Sequence, residues 1–377
     1  MKREIITLLL LSCSMMLSSC CGSCEKPDIT YEISLGKVPM TAVFKNGDDT
    51  TWSVWGASMV KDEDDLYHIF YSRWPKNLGW SWVVDSEIAH ATSKSPYGPW
   101  EFSDVTLPRR GKEYWDGWCT HNPTIQKIDG KYYLYYMGNT GDGEVTCKPD
   151  EREKINWQHR NNQRIGVAVA ETPYGPWTRF EKPLIDVSQD EEAYDCLMTS
   201  NPSVCQMADG KMLFVYKAVS RRLPAPNGGP VVHMVATADS PTGPITKHEK
   251  LAFYVEGEVF GAEDPYIWHS DGKYRAIVKR IKVNQKRREF SLLHYESLDG
   301  YDWHEAPYAQ VSDLEITWED GQYNKLEHLE RPQVFIENGE PVLLLCAADT
   351  LEGFKRHSFN VQIPLNIKKH DLKREQK

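Results

Sequence analysis

A chain of 377 residues, 40% hydrophobic and 11% aromatic, is long enough for one large folded domain or two ordinary ones. Its net charge of −10 and pI near 5.7 exclude a nucleic-acid binder that works through a basic face, though a local basic pocket remains compatible with them. The 13 tryptophans and 19 tyrosines suit sugar-stacking platforms and β-rich cores equally well.

The chain opens on an address. Lys2 and Arg3 precede an apolar run from Ile5 to Leu17 that is too short for a comfortable membrane span. The run ends in Leu17-Ser18-Ser19-Cys20, which resembles the bacterial lipobox. This predicts a signal peptide over 1–19, acylation of Cys20, a tether over 20–40 and an exported, membrane-anchored lipoprotein. Ordinary secretory cleavage is the alternative. Of nine cysteines, Cys13, Cys20, Cys21 and Cys24 fall in the leader or tether. Cys119, Cys147, Cys196, Cys205 and Cys346 match no zinc spacing. Export permits a Cys119–Cys147 bridge, with free buried thiols the expected case.

From residue 41 the chain repeats itself. GASMVKDEDDLYHIFYSR (56–73), HNPTIQKIDGKYYLYYMGN (121–139), NPSVCQMADGKMLFVYKA (201–218), EDPYIWHSDGKYRAIVKR (263–280) and ERPQVFIENGEPVLLLCA (330–347) each read as strand, tight turn, strand. Between them lie alternating segments that run into SPYGPW (95–100), TPYGPW (172–177), SPTGPI (240–245) and LDGYDW (298–303). The units recur about every 65 residues, and helical periodicity is nearly absent. The pattern predicts an all-β fold, a five-bladed β-propeller with four-stranded antiparallel blades over 41–366, followed by a polar tail over 367–377. A stack of sandwiches is the competitor, and the even spacing argues against it. The segment TYEISLGKV (30–38) is expected to supply the outermost strand of blade five and close the ring.

In such a ring the first strand of each unit lines the central channel, and two sets of residues meet at one mouth. Ser58, Asn122, Asn201, Asp264 and Arg331 open the innermost strands; Arg73, Asn139, Lys217, Lys279 and Arg280 close the second strands.

The motifs HNPTIQKIDGKYYLYYMGN, AEDPYIW and the two YGPW turns resemble the five-bladed propeller glycoside hydrolases of family 43 and its relatives in families 32, 62, 68, 117 and 130. The resemblance covers about 41–366. It implies inverting cleavage of glycosidic bonds, with one carboxyl as acid, one as base and a third tuning the acid. Family 43 carries these on blades one to three, where this chain has Ser58, Asn122 and Asn201. The pattern of family 117, with acidic groups on later blades and an assisting histidine, is the closer one.

On that reading Asp116, Glu263, Asp264 and Glu330 are the candidate acid, base and modulator, with Asp195 in a place similar to Asp116. Structural alternatives stand beside them: Glu330 with Arg331 as an ion pair, Asp264 as a strand cap, Asp116 in a surface turn. Trp115 and Trp118 flank Asp116 as a sugar platform, and His121 and His328 stand ready to contact sugar hydroxyls or assist proton transfer. Arg73, Lys217, Arg221, Arg222, Lys279, Arg280 and Arg331 make the mouth cationic in an acidic protein. That points to an anionic sugar, such as a uronic acid or a sulfated one, unless these residues pair with rim carboxylates. The polar insertion 141–163 is long for a hairpin loop and is expected to overhang the mouth and shape an exo-type pocket, or to make a dimer contact. The expected partners are an oligosaccharide and, through the lipid, a membrane; nucleic acid is not expected, and the chain reads as a monomer or homodimer. No cofactor is expected. A central calcium ion is compatible with the superfamily, but no ligand set is legible. A phosphorylase like those of family 130, and a non-catalytic glycan-binding lipoprotein, are the competing functions.

Overall fold

The computed structural model describes residues 27–375, apart from 48–49, 150, 285–286 and 354. The expected signal peptide and acylation site, Cys20, together with Cys13, Cys21 and Cys24, lie outside the described residues. No described helix is long and apolar enough to cross a membrane.

Five antiparallel sheets of four main strands form the ring, and in the fifth the short strand Val43–Phe44 also pairs with Lys355–Asp371. Blade one is Trp52–Lys61, Tyr67–Pro75, Glu87–Ser93 and Glu101–Leu107; blade two is Cys119–Ile128, Lys131–Asn139, Arg164–Ala170 and Thr178–Arg179. Blade three is Met198–Gln206, Met212–Val219, Val231–Ala238 and Ile245–Ala252; blade four is Ala262–Ser270, Lys273–Asn284, Arg287–Ser297 and His304–Ser312. Blade five takes His328–Glu337, Glu340–Glu352 and Lys355–Asp371 from the end of the chain and Ile29–Leu35 from its start. The innermost strands pack side by side around the channel, the fifth against the first.

The hairpins form where Asp129-Gly130, Asp271-Gly272 and Asn338-Gly339 put both turn residues at positive φ, the conformation a two-residue hairpin requires. Each pair of neighbouring blades shares one hydrophobic core, because a twisted sheet with two apolar faces must bury both. The repeated outer turns extend this packing. Trp100 of the first YGPW turn donates to Gln362 of blade five at 3.1 Å. Trp177 of the second meets Phe70 of blade one edge-on at 5.4 Å. Tyr135 of blade two donates to the carbonyl of Pro241 in the third copy at 2.9 Å. Trp303 of the fourth meets Phe253 at 5.1 Å. Every copy docks its blade onto the preceding one.

The N-terminal strand closes the ring as expected, pairing Ile29 with Asp371 and Leu35 with Leu365. Thr30 donates to Glu296 of blade four at 2.8 Å, and Arg275 pairs with the same carboxylate while its guanidinium stacks on Tyr31 at 3.6 Å. The folded unit therefore reaches beyond 41–366 at both ends: 29–35 lies in the expected tether, and 367–371 in the expected tail. Cys119, Cys147, Cys196, Cys205 and Cys346 are free and buried, so no Cys119–Cys147 bridge forms.

Candidate active site

Each innermost strand carries a β-bulge near the mouth, and at each bulge one residue has a left-handed backbone: Gly56, Asn122, Asn201, Asp264 and Arg331, with φ between 48° and 53°. The fivefold position in blade one is thus Gly56. Ser58, two residues further along, instead accepts a hydrogen bond from the Ile125 backbone at 3.1 Å. The left-handed backbone turns these side chains toward one another across the channel. Asn122 donates to Asn201 at 2.8 Å, Asn201 donates to Asp264 at 2.6 Å, and Arg331 reaches Asp264 at 3.4 Å and the Asn122 carbonyl at 3.3 Å. Gly56 leaves room for this, since a Cβ there would lie 3.2 Å from Arg331 Cγ and 3.3 Å from Asn122 Oδ1.

Above this ring lies a cavity of about 230 Å³. Its floor and walls include His121, Asn122, Asn201, Lys217, Glu263, Asp264, His328 and Glu330. Charges alternate across blades three to five. Lys217 donates to Glu263 Oε1 at 2.6 Å; Lys279 donates to Glu263 Oε2 at 3.2 Å and pairs with Glu330 Oε1. Burial raises the Glu263 pKa, but the two lysines outweigh it and hold the carboxyl well below the usual carboxylate range. Asp264 moves the other way: burial, then the charge of Glu263, raise it against the pull of Arg331. Glu330 keeps Oε2 free of any hydrogen bond among the described residues.

His121 is buried, stacked on Trp82 at 4.5 Å, with Nδ1 2.7 Å from Ser86 Oγ. Burial, with the Arg331 charge behind it, holds the ring neutral. His328 places Nδ1 2.9 Å from the buried carboxylate of Asp349. Burial opposes its protonation, but the Asp349 hydrogen bond and the charges of Glu330 and Asp349 prevail and raise its pKa.

Several expected residues stand elsewhere. Asp116 is fully buried outside the cavity, where Arg110 donates at 2.6 Å and Tyr136 at 2.7 Å. Asp195 repeats the device in blade three with Tyr216 and Lys247. Each carboxylate ties the loop before an innermost strand to its own blade. Trp115 packs on Tyr136 at 5.7 Å, and Trp118 lies between Arg109 and His159, so neither is a platform in this cavity. Arg73 pairs with Glu87, Arg280 with Glu258, and Arg222 stacks on Tyr194; Arg221 is exposed away from the cavity. Asn139 holds the insertion, accepting from His159 Nδ1 at 2.8 Å. Of the expected second-strand residues, Lys217 lines the cavity and Lys279 binds two of its carboxylates, while Arg73 and Arg280 lie one register step away on the other side of their strands.

The aromatic wall went unread in the sequence. Trp55, Trp74, Trp80 and Trp82 line the cavity from blade one, with Trp80 edge-on to Trp55 at 5.2 Å and to Trp74 at 4.9 Å. The density of tryptophan in RWPKNLGWSW (73–82) was the available signal. The insertion contributes Glu153, Ile155, Arg160 and Gln163, and blade five contributes Arg356. Glu153 sits 3.7 Å from Arg356. Burial raises the Glu153 pKa; Arg356 pulls it down, while Glu330 and Glu263 push it further up. Among the described residues no three His, Cys, Asp or Glu side chains converge as a metal site.

No family model matches the chain, and no curated protein matches it in sequence. Solved structures do. Zg3597, a family 117 glycoside hydrolase of the marine bacterium Zobellia galactanivorans, superposes with a TM-score of 0.62 at 20% identity, over 89% of this chain and 90% of that one. BT0996, solved as an RGII complex, has a TM-score of 0.62 at 13% identity, over 88% of this chain and 92% of that one. An exo-1,5-α-L-arabinanase from a bovine ruminal metagenomic library has a TM-score of 0.53 at 13% identity, over 85% and 95% of the two chains. At these identities the likeness establishes the fold: this chain is built on the five-bladed propeller that those glycoside hydrolases share.

Proposed function

We propose that the protein is a glycosidase that cleaves oligosaccharides in the channel-mouth cavity, by an exo-acting, inverting mechanism. The observation that carries this is one cavity holding four tryptophans beside carboxyl groups of opposite protonation bias, Glu263 low and Asp264 and Glu153 high. Tryptophan faces suit the apolar C–H face of a sugar ring. Acid–base cleavage requires one carboxyl that keeps its proton and one that has lost it. Glu153 is the acid in this reading: it lies at the rim on the insertion and holds its proton to higher pH. Glu263 keeps both oxygens on lysines and fixes the charge of the cavity, so the base that activates water is Glu330, whose Oε2 is free. Asp264 tunes the pair from the channel floor. The insertion closing one side of a small cavity supports action at a chain end. The leader and Cys20 support export and a lipid anchor.

The test is turnover of a panel of plant and algal oligosaccharides by the wild type, Glu330→Gln and Glu153→Gln. Loss of an acid or base lowers kcat by about 100-fold or more. Variants as active as wild type would reject these assignments. Gly56 favours one second reading, in which inorganic phosphate replaces the catalytic water, because blade one has no carboxylate at that innermost-strand position. Product formation that requires phosphate would identify phosphorolysis.

A further inference from the structure

The cations at the mouth nearly all have carboxylate partners. Lys217 and Lys279 are bound to Glu263 and Glu330, Arg331 to Asp264, and Arg356 to Asp349 and Glu153. Arg160 differs. It is a half-buried cavity residue with no carboxylate within 4 Å among the described residues. Its guanidinium lies 5.6 Å from the centre of the Trp157 ring and hydrogen-bonds through one nitrogen: Nη1 donates to Asn161 Oδ1 at 2.9 Å and to the Asn227 carbonyl at 2.8 Å. Nε and Nη2 make no hydrogen bond among the described residues. Asn161 is in turn fixed to the Pro226 carbonyl at 2.9 Å, so one loop holds the fork both directly and through Asn161. Burial pulls the Arg160 pKa down to about 10, with the Glu263 charge acting against it. A partly buried guanidinium that no carboxylate touches is costly unless a ligand completes it.

We infer that Arg160 selects the substrate, its free guanidinium edge receiving a carboxylate or sulfate group on the sugar held in the cavity. This rests on the reading of that cavity as a sugar site. It moves the anionic preference from the rim lysines and arginines, which neutralise carboxylates, to one residue of the insertion. An oxyanion takes two parallel N–H donors from such a fork, whereas a neutral hydroxyl engages only one. Asn161 and Asn227 take both Nη1 protons, so Nε and Nη2 remain as the edge a ligand can use.

The test is calorimetric binding of matched sugars to the wild-type protein: glucuronate against glucose, galacturonate against galactose, and galactose 6-sulfate against galactose. The charged member of at least one pair should bind about 10-fold tighter or more, and salt should weaken that preference. The carboxylate and sulfate arms show which oxyanion is taken. Arg160→Gln should bring the affinity for the charged member down to that for its neutral counterpart, in a protein whose cooperative melting shows an intact ring. Arg160→Lys, which keeps charge and loses the fork, should recover only part of it. Equal or tighter binding of neutral sugars, or a preference that survives Arg160→Gln, would overturn the inference. Binding is read without turnover, so the two readings fail separately. Acidic sugars that bind but are never released from any oligosaccharide would sink the hydrolase and spare Arg160. Cleavage of neutral oligosaccharides alone would do the reverse.

Discussion

Lys279 is the residue on which the charge pattern of the cavity turns. It is buried between Glu263 and Glu330 and is the described cation that touches both. Replacing it by methionine leaves Glu330 without its counter-charge and Glu263 with Lys217 alone. Breaking a buried pair costs about 3 kcal/mol. The pH dependence follows from the low Glu263 pKa. That stabilisation is full above the carboxylate's unfolded value and is lost as pH falls through its folded one. Urea unfolding should therefore show Lys279→Met about 3 kcal/mol less stable at pH 7, with the gap narrowing toward acid. A constant gap would mean that Lys279 acts through packing alone. The sequence carried Lys279, Glu263 and Glu330 to the same mouth, but strand alternation alone could not tell Lys279 from Arg280. Only the register of blade four turns one inward and the other to Glu258.

The insertion is the element that makes the cavity what it is, and polar contacts hold it rather than a core. Asn156 caps its short helix, Trp157–Asn161, by accepting from the His159 backbone at 3.1 Å, and its amide donates to Asp142 at 2.9 Å and to the Glu144 carbonyl at 3.0 Å. His159 Nε2 accepts from the Gly143 backbone at 2.9 Å, which leaves the Nδ1 proton to bind Asn139. Asn156→Ala removes the cap and both bracing bonds, worth about 1–2 kcal/mol locally. Because Arg160 and Glu153 ride on this element, the expected outcome is a raised KM for the cleaved oligosaccharide, with little change in the melting temperature of the ring. An unchanged KM would show that the insertion keeps its shape without the cap. The outer turns are elements of the opposite kind: Trp100 and Trp177 bind blade to blade and lie far from the chemistry.

At the scale of the whole ring, buried histidines set a direction for stability. Burial holds His233 at about 3 and His294 at about 4, and lowers His121, His68 and His159 as well. Each takes up a proton less readily when folded than in the unfolded chain, where the ring protonates below about pH 6.5. Unfolding therefore gains protons, and stability falls with pH at up to about 1.4 kcal/mol per unit per group. His328 opposes this: its raised pKa gives stability that is full below its unfolded value and is lost as pH rises through the folded one. One histidine does not offset five. Urea unfolding from pH 7.5 to 4.5 should show a steady loss of stability, and His233→Gln should flatten the slope by about one proton. Stability that rises toward acid would contradict the burial of these rings.

What the sequence determined by itself was everything that repeats. Alternation, Asp-Gly turns and the YGPW spacing are local signals, and five copies of them left little choice but a ring of antiparallel blades, closed by Ile29–Leu35. Glu263, Asp264, Glu330, His121 and His328 were also legible, because each opens or precedes an innermost strand. The tertiary structure alone decided which rim residues face the cavity. Strand register makes Gly56, not Ser58, the blade-one counterpart of Asn122, since the bulge of blade one falls between Trp55 and Ser58 as that of blade two falls between His121 and Thr124. Asp116 looked like a mouth residue until Arg110 and Tyr136 closed around it. The aromatic wall, Glu153 and Arg160 come from segments without period, whose positions depend on contacts with distant strands and not on their own pattern.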